Sequence, residues 1–307
     1  MRHLRTFQLI EEVARAGSIR KAAEDMNITS SALNRQIQRF EQEFGYPIFE
    51  RLPRGVRLNT AGEMLVQHHR AMASDLARLR SQVADLTGER RGHVSIACSQ
   101  ALLPYFLPAE IARYRAEHPG VTFSVEVRDR AAAERALGSF STDLALVFEP
   151  VHLVDFEVIA DVPQPVCAMM ATDHPLARNR GPLRLREALA HRHVVPTNAY
   201  GVRHVLEQAT RRMSRQLAPV AESSSFEFMR HYVRHERAVG FQIPIGLRAD
   251  ANEPLAVREI DARDVPPGHL LLGQRRGRTL PVASARFALR LSAALSQSVE
   301  EWRVAMA

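Results

Sequence analysis

At 307 residues the chain is long enough for two or more hydrophobic cores, and a 46% hydrophobic share is ordinary for a globular protein. The net charge of +7 favours a polyanionic partner, and the two cysteines, Cys98 and Cys167, each lie in an apolar run, which argues against a disulfide framework. No stretch reaches the roughly 20 apolar residues that span a bilayer, and Met1-Arg2-His3-Leu4-Arg5 lacks a signal-peptide apolar block, so a reduced, cytoplasmic protein is expected.

Residues 4–16 predict a helix with Leu4, Phe7, Ile10, Val13 and Ala14 inward. Gly17 stops it, and Ser18 can N-cap the next helix. Ile19, Ala22, Ala23 and Met26 form the inner face of that short helix, and Asn27-Ile28 breaks it. A third helix runs from Thr29 to Phe44 and ends at Gly45, with Leu33, Ile37 and Phe40 at helical spacing. Ser30, Ser31, Asn34, Arg35 and Gln38 are left pointing outward. Such polar groups at a helix N-terminus can hydrogen-bond base edges in a major groove, so this is a helix-turn-helix, with Ser18 and Thr29 to Ser31 as further DNA contacts. Two short extended pieces then flank the turn Pro53-Arg54-Gly55. They form a wing whose Arg51, Arg54 and Arg57 suit phosphates or a minor groove; the plain alternative is a solvated hairpin. All but one of the 41 basic residues are arginine, Lys21 being the exception, and arginine binds phosphate and guanine bidentately.

Thr60-Ala61-Gly62-Glu63 reads as a capping box opening a long helix. Leu65, His69, Met72, Leu76, Leu79, Val83 and Leu86 follow at alternating steps of four and three, a seam for pairing with a second chain. His69 is its one polar member, a register device or a packed neutral histidine. Gly88 to Gly92 is a polar hinge. Beyond it strands and helices alternate: strands at 93–97, 121–127, 144–148, 156–161, 166–171, 194–195, 219–222, 239–243 and 269–272. Helices are expected at 101–117, 130–137, 185–190, 201–213 and 286–303. That alternation implies an α/β domain of mainly parallel sheets.

With these elements in place the chain resembles the LysR-type transcriptional regulators over nearly its whole length. Ala16-Gly17-Ser18, Lys21-Ala22-Ala23, Ala32 to Ile37, Glu41, Gly45, Phe49-Glu50-Arg51, Leu58-Asn59-Thr60 and Ala61-Gly62 carry the likeness. Leu103-Pro104, Tyr114, His118-Pro119, Asp143 to Leu146, His174 to Ala177 and Gly240 with Pro244 extend it more loosely. The resemblance implies a winged helix-turn-helix over 1–59, a linker and dimerisation helix over 60–87, a hinge over 88–91 and an effector-binding domain over 92–307. The last would have two subdomains like those of periplasmic binding proteins, one over about 92–162 and 267–307, the other over about 163–266. It further implies a homotetramer, a dimer of dimers, on double-stranded promoter DNA, with a small effector in the cleft between the subdomains. The chain departs from the family pattern at Ser30-Ser31, at Asn34 and across Val233 to Gly240.

Ligands in open α/β sheets bind beyond the carboxyl ends of strands, and helix N-termini suit anions. Ser99 and Gln100 follow the 93–97 strand and are the expected contacts for a carboxylate or other anion; Ser99 can also simply cap its helix. Thr197, Asn198, Phe241 and Gln242 are expected across the cleft, with Phe148 as an apolar wall. Arg203 is either an anion partner or a brace for its own helix. Asp143 reads as structural. No Gly-x-Ser-x-Gly elbow, phosphate loop or dinucleotide motif occurs, so no catalytic residue and no cofactor are expected. His231, His235 and Glu236 lack a zinc-peptidase order, and His191 to His193 reads as surface, so no metal is expected either. A redox switch at Cys98 is the main alternative reading, and an enzyme on the α/β domain is less favoured.

Overall fold

A computed structural model describes residues 2–86, 91–179, 181–247 and 255–306. The expected hinge falls almost wholly outside these residues, as do the side chains of Leu4 and Leu86. The chain divides into two compact units, Met1–Ala77 and Arg78–Ala307.

In the first unit, α1 (Arg2–Ala16), α2 (Ile19–Asp25) and α3 (Ser30–Phe44) precede a hairpin of β1 (Phe49–Leu52) and β2 (Gly55–Leu58). Leu9, Val13, Ala22, Ala23, Leu33 and Ile37 form one apolar cluster. Leu9 is a core residue that the expected α1 face omits, whereas Ala14 is only half-buried. Gly45 ends α3 at φ 85, a left-handed conformation that costs glycine little. The Glu41 carboxylate on α3 accepts the amides of Ile48 at 2.8 Å and Phe49 at 3.3 Å, which fixes where the wing begins.

The long helix α4 covers Thr60–Leu86, about 40 Å of rise. Its start differs from the expected capping box. Asn59 is the cap: its Oδ1 accepts Gly62 N–H at 2.9 Å, its carbonyl accepts Glu63 N–H, and its amide donates to Pro47 O. Asn59 wins because the same side chain also ties the helix to the segment entering the wing. The seam is corrected at its first two positions as well. Leu65 is buried with Ile10, Phe40, Ile48 and Val66 in the unit's own core. His69 is buried and stacks on Phe7 at 4.8 Å, with Nδ1 3.8 Å from Glu11, too far for a hydrogen bond. Met72, Leu76, Leu79 and Val83 are exposed.

The second unit holds two five-stranded sheets. Sheet one has the order β4-β3-β5-β12-β6, from β3 (Gly92–Cys98), β4 (Val121–Val127), β5 (Leu144–Phe148), β6 (Phe156–Gln164) and β12 (Gly268–Arg275). Sheet two has the order β11-β7-β10-β8-β9, from β7 (Cys167–Ala171), β8 (His193–Pro196), β9 (Ala221–Ser223), β10 (Val239–Gln242) and β11 (Leu255–Glu259). The sheets are mixed and not mainly parallel. β3 pairs β4 and β5 in parallel, but β12 runs against β5 and β6. β8 pairs β10 and β9 in parallel, but β7 runs against β10 and β11. A parallel neighbour needs a crossover of a dozen or more residues; β7 follows β6 directly across Pro163-Gln164-Pro165, and β12 follows β11 across the short segment that ends in Val265-Pro266-Pro267.

Helix α6 (Arg130–Gly138) covers sheet one through Ala133 and Leu137, against Ala97, Val147 and Leu271. Helices α5 (Phe106–Glu117) and α10 (Val282–Met306) bring Tyr114 and Phe287 together at 5.1 Å, with Phe123 4.8 Å from Phe287. Each such edge-to-face pair adds about 0.5–1.5 kcal/mol beyond area burial. The helix expected over 101–117 is split: a 3-10 turn at Gln100–Leu102 precedes Pro104, and α5 begins only at Phe106. Proline disfavours helix at the residue before it. α7 is Leu185–Ala188 and α8 is Gly201–Arg212. α9 (Phe226–His235) buries Phe226, Met229 and Val233. β11 is a strand that the sequence reading leaves out.

Candidate functional site

Two sets of side chains are candidates, one in each unit. In the first unit, Thr29 N-caps α3, its Oγ1 accepting Ala32 N–H at 3.3 Å and lying 3.3 Å from Ser31 Oγ. Ser18 N-caps α2 by accepting Lys21 N–H at 3.4 Å. Ser30, Ser31, Arg35 and Gln38 are exposed on α3, and Asn34 is half-buried beside them. The inward Leu33, Ile37 and Phe40 set which face is free. On the wing Arg51, Arg54 and Arg57 are all exposed. Arg57 is paired with Glu50 at 2.5 Å, whereas no ion pair to Arg51 or Arg54 is found among the described residues. The neighbouring Arg20 and Arg39 are likewise paired, with Glu24 and Glu43.

In the second unit, Ser99 follows β3 and Phe148 ends β5, and both line a narrow pocket with Arg128, Arg130, Tyr200 and Gly201. Its free space of about 10 Å³ holds roughly one water molecule. Ser99 precedes the 3-10 turn without a side-chain capping bond, so its hydroxyl is not committed to that turn. Gly201 is required where it stands: a Cβ there would lie 2.3 Å from Phe148 O. The Arg130 guanidinium donates to Glu149 O at 3.1 Å, and Glu149 holds φ 53, a left-handed conformation uncommon outside glycine. Burial and the Arg130 cation hold the nearby His204 imidazole below its usual range. Burial first, then the Asp129 charge, raises the Tyr200 phenol. Arg128 and Arg130 were missed from sequence, although they follow the carboxyl end of β4 as Ser99 follows that of β3.

Several expected cleft residues are used otherwise. The Gln100 amide donates to Ser224 O at 2.7 Å and accepts Phe226 N–H at 3.0 Å. It straps sheet one to the start of α9 and has no free end for a ligand. Arg203 is a brace: buried, it pairs with Glu207 at 2.6 Å and Glu222 at 2.8 Å. Phe241 is 0% exposed, edge-on to His193 inside the core of sheet two. Gln242 is buried and its Oε1 accepts Ile243 N–H at 2.9 Å. Thr197 spends its N–H on Ser223 O, and Asn198 is exposed; neither lines the Ser99 pocket. His193 is buried and not on the surface. Asp143 is structural as expected, taking Arg278 at 2.6 Å, Ser284 Oγ at 3.0 Å and Ser95 N–H at 3.1 Å.

Both cysteines are free and buried. Burial pushes the Cys98 thiol up to about 12, and Cys167 is raised as well. His231 pairs with Glu227 on an exposed face. Among the described residues no group of three or more His, Cys, Asp or Glu side chains is placed to hold a metal, and no helix is long and apolar enough to cross a membrane.

Comparison with known proteins bears directly on these two units. Residues 1–63 match the family described as bacterial regulatory helix-turn-helix protein, lysR family, and residues 87–296 match the LysR substrate binding domain. The chain is similar to a RuBisCO operon transcriptional regulator of Allochromatium vinosum, at 30% identity over 67% of each chain. It is similar to the regulator CbbR of Xanthobacter flavus, at 27% identity over 92% of this chain and 85% of the relative. Its fold is similar to that of full-length CbnR complexed with target DNA, with a TM-score of 0.65 and 15% identity over 95% of this chain and 99% of that one. The chain therefore belongs to the LysR family and is a DNA-binding transcriptional regulator with an effector-binding domain, not an enzyme.

Proposed function

We propose that this regulator is switched by a small anionic metabolite held between Ser99 and Arg130. The observation that carries the reading is the pocket itself: Ser99, whose hydroxyl does not cap its turn, and half-buried Arg130 line one hollow where sheet one meets the N-terminus of α8. Arginine binds carboxylates and phosphates through a fixed fork of donors, and free helix N–H groups add positive potential. The pocket has room for about one water, so a metabolite enters only as the two sheets part. Parting them strains the Gln100 strap, which makes binding favour one of two arrangements, as a switch requires. The DNA-reading surface is Ser30, Asn34, Arg35 and Gln38 on α3, with Arg51 and Arg54 on the wing. Copies pair through the exposed Met72, Leu76, Leu79 and Val83 of α4 and assemble as a dimer of dimers in the cytoplasm. A thiol raised to about 12 is poorly suited to redox sensing, which disfavours Cys98 as the switch.

The test is a screen of small carboxylates and phosphate esters by thermal shift on the full chain, followed by DNA footprinting with any compound that stabilises it. Arg130→Ala should raise the concentration that alters the footprint by roughly tenfold to a hundredfold, the worth of one or two charge-assisted hydrogen bonds. Ser99→Trp should abolish the response while leaving ligand-free DNA binding intact. An unchanged response in both variants would reject the site.

A further inference from the structure

A larger cavity in the second unit, about 480 Å³, lies away from the Ser99 pocket and belongs to neither expected site. Its size is within the range of small-molecule sites. Phe106 and Ala109 of α5 and Ala294 and Trp302 of α10 form one side; Ile245, in the 3-10 turn after β10, and Val257 of β11 form the other. The Trp302 ring is fixed, because its Nε1–H donates to Glu259 on β11 at 2.5 Å. A second hollow of about 180 Å³ shares Trp302, Gln164 and Pro244 with the first.

The polar groups of the wall decide what fits. Buried Glu110 is already satisfied by Arg113 at 2.6 Å and Arg290 at 3.4 Å. Gln164 Oε1 accepts Ile245 N–H at 3.2 Å. Exposed Glu301 is held only by the Gln297 amide, at 2.7 Å, and no cation pairs with it among the described residues. The charge left over is therefore negative, the opposite of the Ser99 pocket. We infer that this cavity is a second ligand site, for an aromatic ring bearing a neutral polar group or a protonated amine. Because its walls join α5, α10 and Gln164 at the end of β6 to β11 of sheet two, its occupant biases how these elements are held and adds a second input to the regulator.

Trp302 is the only tryptophan in the chain, so its emission reports occupancy directly. The full-length protein is titrated with 2-phenylethylamine, 2-phenylethanol and 3-phenylpropionate while Trp302 is excited. A saturable shift is expected with the amine and the alcohol, the amine binding tightest and the propionate weakest. Ala294→Leu, which fills the cavity, should weaken binding by about tenfold. Ala109→Leu fills it from the other helix and serves if the first variant misfolds. Glu301→Gln should weaken the amine alone, roughly twofold to fivefold, as befits an exposed charge pair. Absence of a saturable shift with all three probes, tightest binding by the propionate, or unchanged binding in the filled variants overturns the inference. None of these results touches the Ser99 reading, which is tested by the footprint.

Discussion

Single residues show how the same chemistry serves structure in one place and recognition in another. Arg278 and Asp143 form a buried pair in which Ser284 and Ser95 take up the remaining lone pairs of the carboxylate. Removing one partner of such a pair leaves a charge without compensation. Asp143→Ala should therefore cost about 3–5 kcal/mol in denaturant unfolding, and Arg278→Leu added to it should recover part of that loss. A cost near zero for Asp143→Ala would show that Arg278 finds solvent. The wing arginines divide in the opposite sense. Arg54 is exposed without an ion pair among the described residues, while Arg57 is held by Glu50. Arg54→Ala should weaken binding to all DNA sequences alike and reduce the slope of log affinity against log salt by about one. Arg57→Ala should change that slope less. Filter binding across a salt series separates the two, and equal slopes for both variants would remove the distinction. Asn34→Ala, in contrast, should alter base preference, at roughly 1–3 kcal/mol for a lost base contact.

At the scale of elements, α4 changes its surroundings along one face. Its first turns bury Leu65, Val66 and His69 in the first unit's own core, and Arg70 reaches Glu11 at 2.7 Å. Further along, Met72 is 45% exposed and Leu76 36% exposed, although both continue the apolar seam. Apolar residues repeating at three and four on an exposed face are suited to a second helix. Met72→Glu with Leu76→Glu should thus leave the fold of the monomer intact and reduce the mass measured by light scattering. An unchanged mass would move the pairing surface elsewhere. Leu65→Ala should behave differently, destabilising the winged helix by about 2–5 kcal/mol as a core truncation.

At the scale of the whole second unit, the Gln100 side chain is the device to test. Its two hydrogen bonds, to Ser224 and Phe226, tie the end of β3 to the start of α9. Adjacent Ser99 lines the pocket, so a ligand that parts the sheets works against the strap. Gln100→Leu should remove about 1–3 kcal/mol of that restraint, two hydrogen bonds' worth. Hydrogen exchange at the Phe226 amide should quicken, and the effector should act at lower concentration. Undiminished protection of Phe226 would show that the strap does not hold the sheets together.

The helix-turn-helix with its wing, the long α4 and most later elements were legible in the sequence, whereas β11 and α9 were not, and the division into DNA-binding and effector-binding parts was implied by the family resemblance. The legible elements rest on local signals. Helical spacing sorts Leu33, Ile37 and Phe40 from Ser30 and Asn34, and Gly45 marks the end of α3, whereas the break at Pro104 was not read. The strands 121–127 and 144–148 were legible to the residue, the first from its alternation and the second as a short continuous apolar run after the polar Ser141-Thr142-Asp143. Which polar groups remain available depends on contacts between distant parts of the chain. Arg203 and Arg130 look alike in sequence, but the carboxylates of Glu207 and Glu222 claim the first, while the second gives one hydrogen bond to the Glu149 carbonyl and lines the Ser99 pocket. Gln100 is claimed by backbone groups more than a hundred residues away. The same reason accounts for the mixed sheets and for Leu65 in the core. Strand direction across a crossing, and the burial of one end of a seam, depend on partners distant along the chain, which no local periodicity encodes.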